Sequence, residues 1–114
     1  MPHLHFAGSG MKIDIHRAAP SGHDPGDERL IDAPQWSFDW TRSYRYNAPL
    51  ADLPTLRSGD QIRVRCTHDN STENTGLMKA LQQAGKPDPL DVSLGETALD
   101  EMCIGVITLV YKAP

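Results

Sequence analysis

The sequence predicts an all-β protein, an antiparallel β-sandwich carrying one short helical insertion near 77–84. Three observations lead there. Apolar and polar residues alternate in Met11–His16 and again in Gln61–Cys66, the period of a half-buried strand. A nearly unbroken apolar run, Cys103 to Tyr111, reads as a strand covered on both faces. Clusters of Gly, Pro, Asn and Asp separate these runs, as they do in proteins built from short strands.

Taken in order, His3-Leu4-His5 comes first as an extended segment. Met11-Lys12-Ile13-Asp14-Ile15-His16 is the first clear strand. Ala18 to Glu28 carries Pro, Gly and charge, and is expected to be a mobile hairpin loop. Gln35 to Asp39 and Ser43 to Tyr46 are weaker strand candidates. Leu53-Pro54 and Arg57-Ser58-Gly59-Asp60 make a turn into the next strand, in which Ile62, Val64 and Cys66 face inward. Asn70 to Pro89 is irregular except for Leu77–Ala84, whose helix formers end on Gly85. Asp91 to Leu94 is the last weak strand candidate before the apolar run. No repeat, heptad or low-complexity tract interrupts the pattern.

At 114 residues the chain is read as a single domain, 1–114. Hydrophobic residues make up 39% and charged ones 23%, ordinary values for a globular protein. A net charge of −4 with scattered basic residues argues against a nucleic-acid partner. No apolar run approaches the roughly 20 residues that span a bilayer, so no membrane partner is expected. No charged segment followed by an apolar one marks a signal peptide. A candidate ligand as early as His3 suggests a domain excised from a longer protein, or a mature fragment. Two cysteines permit one internal bridge, which would imply an oxidising compartment; two buried free thiols are the alternative.

The chemistry is concentrated at the two ends. In a strand alternate side chains share a face, so His3 and His5 can aim two imidazoles at one point. A thioether such as Met102 in Asp100-Glu101-Met102-Cys103, brought alongside by the fold, completes a nitrogen and sulfur donor set. Imidazole and thioether together suit copper, whereas zinc more often recruits a thiolate or carboxylate. Each residue has a plainer alternative: surface histidines on a terminal strand, and a core methionine. Asp100 and Glu101 are candidates to orient a ligand imidazole. Trp36, Trp40 and Tyr44 are candidates for a substrate cleft, with core packing expected for at least two of them. His68 reads as a hydrogen-bonded polar residue that can serve the copper site's surroundings. His16 and His23 read as ordinary exposed residues.

The ordered set resembles the C-terminal domain of the copper type II, ascorbate-dependent monooxygenases, the family of the peptidylglycine α-hydroxylating and dopamine β-monooxygenases. The residues that carry the resemblance are His3-Leu4-His5-Phe6-Ala7-Gly8, Trp36 to Trp40 with Tyr44, Gly59-Asp60 leading to Cys66, and Asp69-Asn70. Gly95-Glu96-Thr97 and Asp100-Glu101-Met102-Cys103 complete it. Together they span nearly the whole chain. The resemblance implies a jelly-roll-like sandwich of eight or nine strands. It implies that His3, His5 and Met102 ligate the catalytic copper, and that Cys66 and Cys103 form a disulfide. It also implies an enzyme that hydroxylates a substrate C–H bond with O2 and a reductant such as ascorbate, on a small-molecule or peptide-like substrate. A secreted or periplasmic location would follow. A copper-holding or copper-trafficking module without turnover is the alternative, and a sandwich that does not use metal is a second.

The departures are specific. The family's second copper is held by three histidines of an N-terminal domain, and nothing in this chain supplies them. The partner domain would belong to the full protein, and the isolated chain is expected to be incomplete as an enzyme. Ile104, Gly105 and Val106 stand where the peptide-amidating branch has polar and aromatic residues for the substrate carboxylate. His68 stands before Asp69, where an aromatic residue is common.

Overall fold

The structure, a computed structural model, describes residues 1–18 and 26–114. It is mostly β, with two antiparallel sheets and one short helix. The described elements are β1 (Pro2–Leu4), β2 (Gly8–His16), β3 (Asp27–Ala33), β4 (Gln61–His68), α1 (Thr75–Gln83) and β5 (Cys103–Gly105). Single 3-10 turns occur at Phe38–Trp40 and Leu50–Asp52.

The larger sheet has the order β3-β2-β4. Its centre follows from alternation: Met11, Ile13 and Ile15 are each about 1% exposed, and they pair with Cys66, Val64 and Ile62 of β4. The inward row of β4 is therefore the one that its parity predicts. Asp14, buried between the apolar neighbours of β2, is directly opposite Arg29 of β3 and ion-paired with it.

β3 was not foreseen. Ile13 pairs with Ile31 while Asp14 pairs with Arg29, so Leu30 is an extra residue that bulges from the ladder. The bulge breaks period-two alternation, which is the signal that a sequence reading follows. Tyr46 donates its hydroxyl proton to the Leu30 carbonyl at 2.6 Å, satisfying the acceptor at that position. The loop expected from Ala18 to Glu28 falls largely on residues 19–25, His23 among them, outside the described residues; Asp27 and Glu28 already belong to β3.

The smaller sheet pairs β1 with β5: Pro2 with Gly105, His3 with Ile104 and Leu4 with Cys103. One face of this ladder carries Pro2, Leu4, Cys103 and Gly105, and it lies against the larger sheet. Leu4 is fully buried in a cluster with Met11, Ile13 and Trp36. Gly105 sits so close that an added Cβ would lie 2.9 Å from Ile13 Cδ1 and 3.0 Å from Val64 Cγ2. A disulfide between Cys66 and Cys103 ties β4 to β5.

The buried strand expected over Cys103–Tyr111 is corrected: β5 ends at Gly105, and the last ladder-like bond is Val106 N–H to the Met1 carbonyl at 2.9 Å. Beyond it, Leu109, Val110 and Tyr111 are 59%, 69% and 83% exposed. The radius of gyration, 17.3 Å, is correspondingly larger than the roughly 13 Å of a closely packed domain of about this length. Five strands are present among the described residues, where the resemblance implies eight or nine. Gln35–Asp39 and Ser43–Tyr46 form no strand, and Asp91–Leu94 contributes only the Leu94–Glu101 bridge.

The helix forms two residues earlier than expected because Asn74 caps it, accepting from Leu77 N–H at 3.1 Å. Leu77, Ala80 and Leu81 are its buried residues. It stops at Gly85 (φ +70°), with Gly85 N–H on Gln82 O and Lys86 N–H on Leu81 O, the paired bonds of a Schellman ending. At the far end of β2, buried Arg17 donates to Asp60 at 2.6 Å and to the Thr55 carbonyl at 2.8 Å, and pairs with Glu28. That cluster anchors the turn entering β4.

Candidate functional site

The outer face of the β1–β5 ladder carries His3, the first of the predicted site residues. His3 and Ile104 are directly opposed, and opposed residues in an antiparallel pair point the same way. His5 directly follows β1 and Met102 directly precedes β5, each one residue outside the paired ladder. Alternation also places His3 and His5 together, and their ring centroids are 5.6 Å apart, edge to face. The structure thus brings His3 and His5 together, with Met102 at the entry to the strand that pairs with β1.

His5 is held more firmly than His3. It is 6% exposed, and its ring lies edge-on to Phe38 at 6.5 Å. Its Nδ1 is 3.2 Å from the Asp100 carbonyl. A carbonyl can only accept, so this contact puts the proton on Nδ1 and leaves the lone pair on Nε2. The His3 ring is half-buried and has no hydrogen-bond partner among the described residues.

A short turn after β1 sets His5's direction. Gly8 N–H bonds the His5 carbonyl at 2.8 Å, and a Cβ on Gly8 would come within 2.4 Å of Leu4 Cβ. Glycine is required there by close approach. Phe6 N–H reaches the Ala98 carbonyl at 3.1 Å, which ties this turn to the segment carrying Asp100.

The Asp100 segment is knotted on itself. Asp100 Oδ2 accepts from Thr97 N–H at 3.0 Å and from its hydroxyl at 2.8 Å. These Thr97 bonds, ahead of the nearby charge of Lys86, hold the Asp100 carboxyl below its usual range. The carboxyl is thereby used in the turn, and it is the backbone carbonyl that orients His5. Glu101 faces His68 instead, with Oε1 3.6 Å from His68 Nδ1. His68 Nε2 lies 3.5 Å from the Met102 carbonyl, beside the backbone that presents the thioether. The pairing of His68 with Glu101 was not legible from spacing.

His16 is half-exposed and bonds Asp27 Oδ1 at 2.6 Å, far along β2 from the site. The expectation that at least two of the three aromatics are core is corrected. Trp36 is 8% exposed, but Trp40 and Tyr44 are 59% and 60% exposed, because the segment holding them forms no strand. The three line one open cleft with Asp32, Gln35 and Ser37.

Among the described residues no group of three or more His, Cys, Asp or Glu side chains is placed to hold a metal. The candidate donor set is a different one, two imidazoles and the thioether of Met102. With a fixed Nε2 lone pair on His5 and an unengaged ring on His3, it fits copper by donor chemistry. The disulfide next to Met102 fits an oxidising compartment. No helix among the described residues is long and apolar enough to cross a membrane. No family model matches the chain, and no curated protein or solved structure matches it.

Proposed function

We propose that His3, His5 and Met102 hold a copper ion and that this chain is the catalytic-copper domain of an ascorbate-type copper monooxygenase. The observation that carries the proposal is the pair of imidazoles, 5.6 Å apart, beside the strand that follows Met102. The strands would belong to a jelly-roll-like sandwich.

Bound copper would supply one-electron and O2 chemistry, and three protein donors leave a position open for it. The chain's own residues prepare the site. The Asp100 carbonyl keeps the proton on His5 Nδ1, so Nε2 is ready as a donor without a change of tautomer. Phe38 packs beside the His5 ring and shields it from water. The Cys66–Cys103 bridge fixes the strand that presents Met102. The substrate would be a small molecule or peptide-like compound, a second-copper domain would be the redox partner, and the compartment would be extracellular or periplasmic.

Cu(I) affinity and X-ray absorption at the copper edge, for the chain and for Met102→Ala, test this. The expected result is a sulfur scatterer that disappears in the variant. Affinity should fall by at least the roughly 10–100-fold that loss of an outer-shell partner costs. Nitrogen-only copper of equal affinity in both proteins would place the metal on the amino terminus and remove the proposal's basis. If the sulfur ligand is present but Cu(I), O2 and ascorbate yield no hydroxylated product with the partner domain supplied, the chain is a copper-holding module.

A further inference from the structure

Between β4 and α1, outside any strand or helix, the chain reads Asn70-Ser71-Thr72. An asparagine followed two positions on by a serine or threonine, with no proline between, is the pattern that accepts an N-linked oligosaccharide. Of the three asparagines in the chain only Asn70 stands in it, because Asn47 is followed at that distance by Pro49 and Asn74 by Gly76. The fold also separates Asn70 from its neighbour Asn74. Asn74 is half-buried, and its amide donates twice, to the Phe6 and Asp69 carbonyls at 3.0 and 2.9 Å. Asn70 is exposed, and so are Ser71, Thr72 and Glu73 after it. Its Nδ2 donates once, to the Leu90 carbonyl at 2.8 Å, which leaves one amide hydrogen unengaged. The Thr72 hydroxyl has no hydrogen-bond partner among the described residues.

We infer that Asn70 is an acceptor for N-linked glycosylation, with an oligosaccharide carried on a lipid diphosphate as the donor. The Asn70 amide nitrogen forms a bond to the anomeric carbon of the first sugar, and the bond from that carbon to the diphosphate oxygen breaks. The lipid diphosphate leaves with the electron pair, and one amide proton passes to a base of the transferase. The product amide keeps one N–H, so a hydrogen remains for the Leu90 contact. A bulky, well-solvated glycan suits an exposed loop, where it displaces no packed side chain. The second observation is independent of the motif. The Cys66–Cys103 bridge belongs to an oxidising compartment, and the secretory lumen, where disulfides form, is also where this transfer takes place.

The inference needs no metal and does not rest on the copper reading. Its test is the full chain, secreted from a eukaryotic host behind a cleavable leader, with intact mass measured before and after an amidase that releases N-linked glycans. The expected result is a disulfide-bonded product heavier by one oligosaccharide, from which release leaves aspartate at position 70 and asparagine at position 74. Asn70→Gln should abolish the added mass. Thr72→Ala should abolish it too, and that variant keeps the Asn70 side chain and its bond to Leu90, so a loss there cannot be laid to misfolding of the loop. Thr72→Ser keeps the hydroxyl and should still carry the glycan. A secreted, disulfide-bonded chain with Asn70 unmodified would overturn the inference. So would a glycan that persists in Thr72→Ala, or one mapped to Asn74.

Discussion

Replacing both bridge cysteines, in C66A/C103A, removes the covalent tie between β5 and the larger sheet. The two residues are 37 positions apart, and opening a loop of that length frees the unfolded chain by about 4 kcal/mol at 25 °C. A domain has roughly 5–15 kcal/mol in total, so the loss is severe but short of certain unfolding. What then holds the small sheet is three ladder pairs, the burial of Leu4 and the seat of Gly105 on Ile13 and Val64. An isolated two-stranded ladder is marginal in water, so the β1–β5 sheet should loosen before the β3-β2-β4 sheet does.

Denaturant titration of the oxidised chain and the double variant measures the first effect. The midpoint should fall, and Tm should drop on the order of 15 °C. Amide hydrogen exchange measures the second: Leu4 and Gly105 should lose more protection than Ile13 and Val64. A stability change below about 1 kcal/mol, within the ordinary range of point substitutions, would show that packing alone seats β5. Equal loss of protection in both sheets would refute the assignment of the bridge to the small sheet.

Asn74→Ala should cost about 1–2 kcal/mol, toward the upper end for a lost cap, by denaturant titration. The same side chain also donates to the Phe6 and Asp69 carbonyls, at 3.0 and 2.9 Å. Gly105→Ala should cost about 1–3 kcal/mol through overpacking. Adding Ile13→Val removes the atom 2.9 Å from the new Cβ, so the pair should be less than additive by thermal melting. Asp60→Asn tests a pH effect. The Asp60 carboxyl lies below its usual 3.8, held first by the backbone N–H groups of Arg57 and Ala18 and then by Arg17. Its contribution is therefore present above the unfolded pKa and lost as pH falls through the lower folded value. The variant should be less stable than the parent at neutral pH, with the gap closing in acid below 3.8; a gap constant with pH would refute the role.

The legible parts of the fold are those where period two is undisturbed. Met11, Ile13 and Ile15 and their partners Ile62, Val64 and Cys66 lie where alternation puts them. β3 was hidden by the bulge at Leu30, and the C-terminal run was overread because apolar composition says nothing about whether backbone is available to pair. His3 and His5 share a face by their spacing, as expected. That the segment carrying Met102 returns beside β1 follows only from the β1–β5 pairing, which no local pattern encodes. The group that orients His5 was illegible for a different reason: it is a backbone carbonyl, and every residue has one.

The proposed copper site and the bridge are coupled through one strand. Met102 directly precedes Cys103, and His5 directly follows Leu4, the residue opposite Cys103. In the proposed site, whatever secures the Leu4–Cys103 pair would also set the distance between imidazole and thioether. Leu4→Ala should accordingly do two things. It should cost about 2–5 kcal/mol, as truncation of a buried leucine does. It should also lower Cu(I) affinity although no ligand is changed, because the ladder would have to be ordered as metal binds. Conversely, Cu(I) should raise the stability of the parent in proportion to the logarithm of its concentration, and should raise that of Met102→Ala much less. Equal stabilisation of the two by Cu(I) would mean that the metal does not sense the ladder, and the proposed site would then have no structural support from β5.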